Sequence, residues 1–279
     1  MVPMSHGVDI AAYLKRIGYD GTLKPTVDTL DALIAAHQRS IVFENLTPLM
    51  GAPVVDLGGD ALFDKMVHRA RGGYCFEQNG LFLVVLTELG FDAEARGARV
   101  VWMRPDGLDG PPAAQTHQLL SVRIPGVEQR YLVDVGFGGQ TPTAALTFTP
   151  GRVQQTRHEP YRLRALGLEW VLETQIGDRW HPLYVFADRP VPQIDLEVGS
   201  WYVSTYPESH FVTGLSASMV TDDARWNLGG RHLRVHHRDG HTDKTELRNA
   251  SEVLQVLMGT YGLDVGGLGD VHQRITEVI

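Results

Sequence analysis

The order of hydrophobic patterns along the chain predicts an α+β protein whose helices and strands occupy separate regions. Apolar residues recur at helical spacing through the first part of the sequence. Between residues 98 and 186, short runs rich in β-branched and aromatic residues alternate with Gly, Pro or Asp clusters, which is typical of strands. The remainder mixes both patterns. Because the elements do not alternate as βαβ units, we expect a helical region over 1–88, a strand-rich region over 89–200 and a mixed region over 201–279.

Four helices are predicted in the first region. An apolar stripe over 10–17 stops at Gly18, which suits a left-handed helix end. A second helix follows Thr26, a good N-cap residue, and a shorter one is expected over 60–70. The fourth, over 74–89, is apolar almost all round. That pattern is typical of a helix buried in a bundle.

The strand-rich region is expected to form an antiparallel sheet or a small barrel. Its predicted strands cover residues 98–103, 117–124, 130–137, 161–166, 169–176 and 180–186. In the mixed region, "SWYVST" (200–205) and "RHLRVHHR" (231–238) read as strands, and the Asp-Gly that follows the second predicts a hairpin turn. Two helices, over 251–262 and 270–279, complete the predicted elements.

Composition and charge exclude several classes of protein. The 279 residues are 43% apolar and 21% charged, as in ordinary globular proteins. A net charge of −8 argues against nucleic-acid binding, which needs clustered positive charge. No apolar run approaches the ~20 residues that span a bilayer, and the N-terminus lacks the pattern of a secretory signal. One cysteine cannot form an intrachain disulfide. We therefore expect a cytoplasmic protein without nucleic-acid or membrane partners, its oligomeric state, a homo-oligomer included, left open.

That single cysteine, Cys75, lies in "RGGYCFEQNG" (71–80), directly after a Gly-Gly pair and at the start of a predicted helix. Most free cysteines are small buried hydrophobes. At a helix N-terminus, however, the unpaired N–H groups and the positive end of the helix dipole stabilise a thiolate. The same N–H groups could receive a developing oxyanion. Position therefore favours a nucleophile over a packing residue.

A nucleophile needs a base and a group that orients it. His117 opens a predicted strand, from whose edge its ring could reach a helix N-terminus, although a half-buried structural histidine fits this position equally well. Asp134 falls within an apolar strand, where an unpaired carboxylate costs several kcal/mol and a partner is expected. If the two strands form a hairpin, both side chains lie on one face near Cys75. That arrangement is a Cys-His-Asp triad of the kind found in cysteine proteases.

The sequence resembles the arylamine N-acetyltransferases, most nearly their mycobacterial and related actinobacterial members. The matching stretches occur in order from Phe43 to Leu228: "FENLTPLMG", "RGGYCFEQNG", "ARVVW", "THQLLSV", "YLVDVGFGG", "VQQT" with "EPYRL", and "GSWYVSTYPESHFVTG" with "DARWNL". The blocks around Cys75 and Asp134 are highly specific together. One departure is Val42, where the family often has proline.

The resemblance implies a helical bundle, a central antiparallel β-barrel and an α/β lid, with the triad Cys75, His117 and Asp134 in the cleft between the first two. It implies ping-pong transfer of an acetyl group from acetyl-CoA, through a Cys thioester, to arylamines, arylhydrazines or N-hydroxyarylamines. No tightly bound cofactor and no metal are expected. By position, the resemblance assigns CoA contacts to Thr116, Phe137, Gly138, Gly139, Thr213 and His236. It assigns the acceptor pocket to Phe43, Val100, Phe137 and Phe211.

One basic cluster could assist an anionic donor. Alternation places His232, Arg234, His236 and Arg238 on one strand face, where they could attract CoA phosphates, although a solvated strand face is an equally ordinary explanation. The nearby "HHRDGH" has no cysteine or carboxylate at a familiar zinc-ligand spacing, so it does not predict a metal site.

The residues alone leave two other functions possible. A peptidase or transglutaminase-like enzyme would share the Cys-His-Asp logic, but acetyl-CoA would not acetylate it stoichiometrically. A non-catalytic acyl-CoA binding module would be expected to lack a triad residue, whereas all three are present. The preferred amine or hydrazine and the range of acyl donors are not indicated.

Overall fold

Five helices form the first part of the computed structural model, which describes residues 8–279. They are α1 (Ile10–Ile17), α2 (Val27–Ser40), α3 (Leu46–Leu49), α4 (Gly59–Phe63) and α5 (Cys75–Glu88). Gly18 ends α1 with φ of 63°, and Thr26 Oγ1 accepts a hydrogen bond from Thr29 N–H at 3.2 Å, so both predicted caps are confirmed. A π-helical turn, Asp64–His68, extends α4, and a short strand, β1 (Phe43–Glu44), lies between α2 and α3.

The central region is a seven-stranded antiparallel sheet. Its strands are β2 (Asp92–Val100), β3 (His117–Arg123), β4 (Arg130–Val133), β5 (Leu146–Thr147), β6 (Tyr161–Leu166), β7 (Glu169–Ile176) and β8 (Arg179–Ala187). The order across the sheet is β5-β4-β3-β2-β8-β7-β6. A bridge between Pro150 and Leu163 brings the two edges of the sheet together. The sheet is therefore a nearly closed barrel, as predicted.

The last region combines a second sheet with four helices. Its own strands are β9 (Ser216–Val220), β10 (Ala224–Gly229), β11 (His232–His237) and β12 (Thr242–Glu246), and its helices are α6 (Gln193–Thr205), α7 (His210–Thr213), α8 (Ala250–Gln255) and α9 (Val271–Val278). The predicted hairpin joins β11 to β12, with Gly240 N–H donating to His237 O at 3.0 Å. The sheet order is β1-β9-β10-β11-β12, so a strand from the helical region forms one edge of this sheet.

The strand predicted over 200–205 is wrong, because these residues belong to α6. The buried positions of α6 are Leu196, Ser200, Val203 and Ser204, a helical period that begins upstream of the aromatic segment. Residues 200–205 are rich in Trp, Tyr and Val and resemble a strand when they are considered without residues 193–199. Residue 200, the expected boundary between regions, therefore lies inside a helix.

The first barrel strand lies earlier in the sequence than predicted: β2 covers Asp92–Val100, whereas the prediction was 98–103. β2 ends at Val100, and the N–H groups of Val101 and Trp102 both donate to Leu183 O, at 2.9 and 3.0 Å. Two consecutive donors on one carbonyl break the regular ladder, so the chain leaves the sheet there. Trp102 and Met103, which the prediction placed in the strand, line a cleft instead.

The largest apolar core joins the helices to the barrel. It packs Leu33 of α2 and Phe82 of α5 against Leu120 and Val133 of the barrel strands. α5 is buried along most of its length, which confirms the prediction from its all-round hydrophobicity. The N-terminus of α5 therefore lies between the helical region and the barrel. Within residues 8–279, no helix has the length and hydrophobicity needed to cross a membrane.

Candidate active site

Cys75 is the first residue of α5, and a glycine pair brings β1 close to it. The N–H of Gly73 donates to Val42 O at 3.2 Å, and Gly73 O accepts from Glu44 N–H at 3.1 Å. A Cβ on Gly72 would lie 2.1 Å from Val42 O, so only glycine fits beside the β1 backbone. The side chain of Cys75 is thereby held at a helix N-terminus with only 4% of the residue exposed.

Buried polar side chains hold the N-terminus of α5 in place through a hydrogen bond and ion pairs. Lys65 Nζ lies 2.6 Å from Glu77 Oε1, and Glu77 Oε2 accepts from Tyr74 N–H at 3.1 Å. Arg71 pairs with Glu44 at 2.9 Å. Burial would raise the pKa of the Glu44 carboxyl, but the charges of Lys65 and Arg71 lower it. The loop before Cys75 is therefore held by buried acidic and basic side chains that are paired with one another.

Gln78 connects the same loop to the bundle. Its Nε2 donates to Val42 O at 2.8 Å and to Gly73 O at 3.1 Å, and its Oε1 lies 2.7 Å from His37 Nε2. The other ring nitrogen of His37 lies 2.8 Å from the Tyr13 hydroxyl. Burial lowers the pKa of His37 to about 4, so its ring is neutral at pH 7.

His117 and Asp134 form a buried pair beside Cys75. Nε2 of His117 lies 2.7 Å from Oδ2 of Asp134. Oδ1 of Asp134 accepts from Asn79 Nδ2 at 3.0 Å and from Gly136 N–H at 2.9 Å. The prediction that Asp134 lies within a strand is wrong: β4 ends at Val133, and the carboxylate turns back onto the Gly136 N–H instead. The predicted hairpin of β3 and β4 is confirmed by the pairing of Leu120 with Val133.

The electrostatics of this pair favour a charged imidazole. Burial would lower the pKa of His117, but the Asp134 charge and hydrogen bonds to Asp134 and Cys75 raise it to about 10. Burial would likewise raise the pKa of Asp134, but the His117 charge and hydrogen bonds from His117, Asn79 and Gly136 lower it. Sγ of Cys75 donates to Thr116 O at 3.6 Å. The structure thus joins His117 and Asp134 in a hydrogen-bonded pair, and Cys75 and His117 line the same cleft.

A cleft of about 610 Å³ opens onto Cys75 and His117. It is also lined by the following residues that the sequence assigned to donor or acceptor binding: Phe43, Val100, Thr116, Phe137, Gly138, Gly139, Phe211 and His236. Asp134 is buried behind His117. Thr213 is exposed, with its hydroxyl donating to Ser209 O at 3.0 Å, and it is not among the lining residues. Arg238 lies beyond the end of β11 and does not share the cleft face with His232, Arg234 and His236.

Aromatic rings form the walls nearest the base. The ring of Phe137 lies 5.1 Å from the ring of His117, and Phe43 lies 6.1 Å from Phe211, between ring centres. Gly138 has φ of 70°, and a Cβ there would meet the Phe43 ring at 3.4 Å. This backbone conformation keeps space open between the two aromatic walls.

Several residues of the site were not predicted. Asn79 lies one helical turn after Cys75, and its amide, which follows Glu77 and Gln78 in a largely apolar helix, was a signal that could have been used. Tyr184, whose ring centre is 4.9 Å from that of His117, has no distinguishing feature in the sequence. Gln140 and Asn227 line the cleft with side-chain oxygens that are buried and have no hydrogen-bond partner within residues 8–279.

In the part of the chain that the structure describes, no three His, Cys, Asp or Glu side chains gather in a way that could hold a metal ion. Two histidines of the β11–β12 hairpin are engaged with one carboxylate. His237 and His241 each lie 2.9 Å from an oxygen of Asp243.

Comparisons with known proteins identify the family. A sequence model described as N-acetyltransferase matches residues 26–269. An arylamine N-acetyltransferase from Mycolicibacterium smegmatis is 56% identical over 274 residues, which are 98% of each chain. The structure of Mycobacterium marinum arylamine N-acetyltransferase in complex with CoA has a TM-score of 0.93 at 51% identity, covering 97% of this chain and 99% of that one.

A more distant relative carries a second activity in its name. It is an "arylamine N-acetyltransferase / N-hydroxyarylamine O-acetyltransferase" from Salmonella typhimurium, 34% identical over 95% of this chain and 92% of its own. The matches agree in length, fold and family over nearly all of the sequence. The chain therefore belongs to the arylamine N-acetyltransferases, a family of enzymes.

Proposed function

We propose that this enzyme carries an acetyl group from acetyl-CoA to an arylamine, arylhydrazine or N-hydroxyarylamine by way of a thioester on Cys75. The observation that carries the proposal is the His117–Asp134 pair at 2.7 Å, next to a thiol at a helix N-terminus and open to a cleft. The names of the relatives and the CoA complex of the Mycobacterium marinum enzyme support the choice of donor and acceptor.

In the first half-reaction, Cys75 acts as the nucleophile. With a pKa of about 10, His117 holds a proton at neutral pH, so the sulfur facing it is stabilised as a thiolate. The thiolate attacks the thioester carbonyl, and the N–H groups of the first turn of α5 stabilise the oxyanion. The carbon–sulfur bond to CoA breaks, and the leaving CoA sulfur takes the proton from His117. One thioester replaces another, so this step is nearly thermoneutral.

In the second half-reaction, the acceptor amine attacks the acetyl-cysteine carbonyl. His117, now neutral, accepts the proton that the amine loses, and Asp134 holds the ring in place. The bond between the carbonyl carbon and Cys75 sulfur breaks, which restores the thiolate–imidazolium pair. The amide product is more stable than the thioester, so this step runs downhill.

The remaining assignments concern the two substrates. A flat apolar ring would pack between Phe43, Phe137 and Phe211, with Val100 at the side. The donor would contact Thr116, Gly138, Gly139 and His236, which line the same cleft. The basic face of β11 suits the CoA phosphates.

The proposal also includes the location of the enzyme, its partners and its division into regions. A reactive thiol is protected from oxidation in a reducing compartment, which supports a cytoplasmic location. The net charge of −8 supports small-molecule partners over nucleic acid. A helical region over 1–88, a barrel over 89–200 and a lid over 201–279 would each supply part of the site. Family membership does not favour a peptidase or a non-catalytic acyl-CoA binder.

Intact-protein mass spectrometry tests the chemistry directly. Wild type mixed with acetyl-CoA and no amine should gain one acetyl group and release one CoA, and added arylamine should remove that group. Cys75→Ala should gain none. Peptide mapping should place the acetyl group on the fragment that contains Cys75. Equal acetylation of both proteins would refute Cys75 as the nucleophile.

A further inference from the structure

The short helix α7 carries one wall of the cleft but has little apolar anchorage of its own. It presents Phe211, whose ring centre lies 6.1 Å from that of Phe43 and 5.5 Å from that of Tyr74. None of its four residues is buried when exposure is taken within residues 8–279. An isolated helix of this length is not stable in water. Contacts other than side-chain burial therefore hold α7 in place.

Two side chains from elsewhere in the chain bond to carbonyl groups at the C-terminal end of α7, where a helix offers no partners of its own. Asn45 Nδ2 donates to Phe211 O at 2.8 Å and to Gly214 O at 2.7 Å. Arg274 Nη2, from the last helix of the chain, donates to Val212 O at 2.9 Å. The residue that carries the aromatic ring and the residue after it are each held by one such bond.

Arg274 also bonds to the end of a second helix. Its Nε donates at 2.8 Å to the carbonyl of Leu49, the last residue of α3. Nε and one Nη lie on the same edge of the planar guanidinium group, so one rigid group sets the spacing between the carbonyls of Leu49 and Val212. Since α3 follows the strand of Phe43, Arg274 joins the helix next to one aromatic wall to the helix that carries the opposite wall, Phe211.

The backbone that carries Arg274 is itself well anchored. Val271 and Ile275 of α9 are buried in the apolar core that this helix shares with α3. The side chain of Arg274 is 31% exposed, and its other terminal nitrogen, Nη1, lies 3.0 Å from Glu277 Oε2. A buried helix face below it and a carboxylate on the same helix restrict where the guanidinium can go. Arg274 therefore acts as a fixed support and not as a mobile surface cation.

We infer that Arg274 is a positioning residue for the acceptor, because it keeps α7 at a set distance from α3 and so fixes Phe211 opposite Phe43. The inference rests on the proposed function, in which both rings are walls of the acceptor pocket. An aromatic acceptor depends on these walls, since favourable contacts between rings need centres about 4.5–7 Å apart. An acceptor without a ring does not. The last helix of the chain thereby tunes acceptor binding and takes no part in acetylation of Cys75.

Two acceptors test this inference: aniline, which is a single aromatic ring, and hydrazine, which has no ring. Steady-state kinetics with acetyl-CoA give kcat/KM for each acceptor, and CoA release without acceptor gives the rate of Cys75 acetylation. Arg274→Met keeps most of the apolar stem and removes the donors. It should lower kcat/KM for aniline about fivefold to tenfold, through KM. The values for hydrazine and for acetylation should stay within about twofold.

Two further variants test the geometry of the guanidinium. Arg274→Lys keeps the charge, but its ammonium reaches at most one of the two carbonyls, so kcat/KM for aniline should lie between those of wild type and Arg274→Met. Glu277→Gln is the matched control. It removes the ion pair of Arg274 and leaves both carbonyl bonds in place, so it should not change kcat/KM for either acceptor.

A double-mutant cycle shows whether Arg274 acts through the ring of Phe211. Phe211→Leu by itself should lower kcat/KM for aniline and spare hydrazine. Because the wall is already lost in that variant, adding Arg274→Met should lower kcat/KM for aniline by less than about a further twofold. An arginine that only stabilises the fold would have the same effect with or without the ring.

The remaining outcomes separate the inference from the proposed function. Unchanged aniline kinetics in Arg274→Met would overturn the inference, as would wild-type kinetics in Arg274→Lys. An equal loss with aniline and hydrazine would also overturn it, since that result means general damage to the fold. So would a full additional loss in the Phe211→Leu background. If wild type transfers the acetyl group to neither acceptor, the proposed function fails and this inference fails with it.

Discussion

Asn79 Nδ2 donates to Asp134 Oδ1 at 3.0 Å, so the helix that carries Cys75 also holds the carboxylate that orients His117. The same amide nitrogen donates to Gln118 O at 2.7 Å, and Asn79 Oδ1 accepts from Val135 N–H at 3.0 Å. One side chain thereby links α5 to β3 and to the segment that follows β4. The relative position of Cys75 and His117 depends on this link, and the first prediction tests it.

Asn79→Ala should lower both stability and activity. It removes one hydrogen-bond partner from each of three buried polar groups, of which Asp134 Oδ1 keeps the Gly136 N–H, and we expect a loss of about 3 kcal/mol in the free energy of unfolding. Where the variant is still folded, kcat/KM should fall by at least tenfold because Asp134 is no longer clamped. Urea unfolding and steady-state kinetics measure the two effects. Thr87→Ala, an exposed change in the same helix, is the control and should alter neither.

Asp134→Asn should make the thiol unreactive at neutral pH. Without the carboxylate charge, burial is left to lower the pKa of His117, so the ring becomes neutral and no longer stabilises a thiolate. We expect acetylation at pH 7 to fall by about 10⁴-fold, as for other triads that lose their acid. The rate of alkylation by iodoacetamide between pH 5 and 10 reports the thiolate directly. Alkylation at the wild-type rate at pH 7 would contradict the assigned role of Asp134.

Gly136→Ala should displace the nucleophile. A Cβ at this position would lie 2.8 Å from Asn79 Nδ2 and 2.9 Å from Cys75 Cα, and the second neighbour is backbone that cannot move aside. We expect a loss of about 2 kcal/mol or more in stability, with a fall in kcat larger than the rise in KM. Gly259→Ala, which meets no atom within 4 Å, is the matched control. Comparable thermal melting and kinetics of the two variants would show that the close approach is unimportant.

His37 should contribute to acid sensitivity. Its pKa is about 4 in the folded chain and about 6.5 when unfolded, so the unfolded state binds a proton first as the pH falls. Stability from this group is complete above about pH 6.5 and is lost on acidification toward pH 4. Between pH 7 and pH 5, His37→Gln should lose about 2 kcal/mol less stability than wild type. Urea unfolding at both pH values measures the difference, and an identical loss in both proteins would exclude His37 as the titrating group.

Local patterns predicted the parts of this protein that depend on neighbouring residues. The cap at Gly18, the N-cap at Thr26 and the buried helix α5 follow from spacing and side-chain chemistry within one turn or one stripe. Cys75 stood out because a single thiol at a helix start is an unusual combination. His117 and Asp134 were found because a strand hairpin brings together residues that are seventeen positions apart.

Other features depend on contacts between residues that are far apart in the sequence, which local patterns do not predict. The aromatic segment of α6 reads as a strand by itself, and only its packing against Tyr74 and Val54 shows which face is buried. The edge of the five-stranded sheet requires β1 to pair with β9, which brings together Phe43 and Ser218, residues far apart in the chain. Tyr184 became a neighbour of His117 only when β8 packed beside β2. Their positions are set by long-range sheet pairing.

The two-residue strand β1 is bonded on both sides, to the loop before Cys75 through Gly73 and to β9 through Phe43. The five-stranded sheet and the loop before Cys75 are therefore joined through β1 and move together. Movement of the five-stranded sheet away from Cys75 requires that the backbone hydrogen bonds of β1 break first. A chain cut after Gly214 would lose that anchorage and leave the reactive end of α5 braced from one side only.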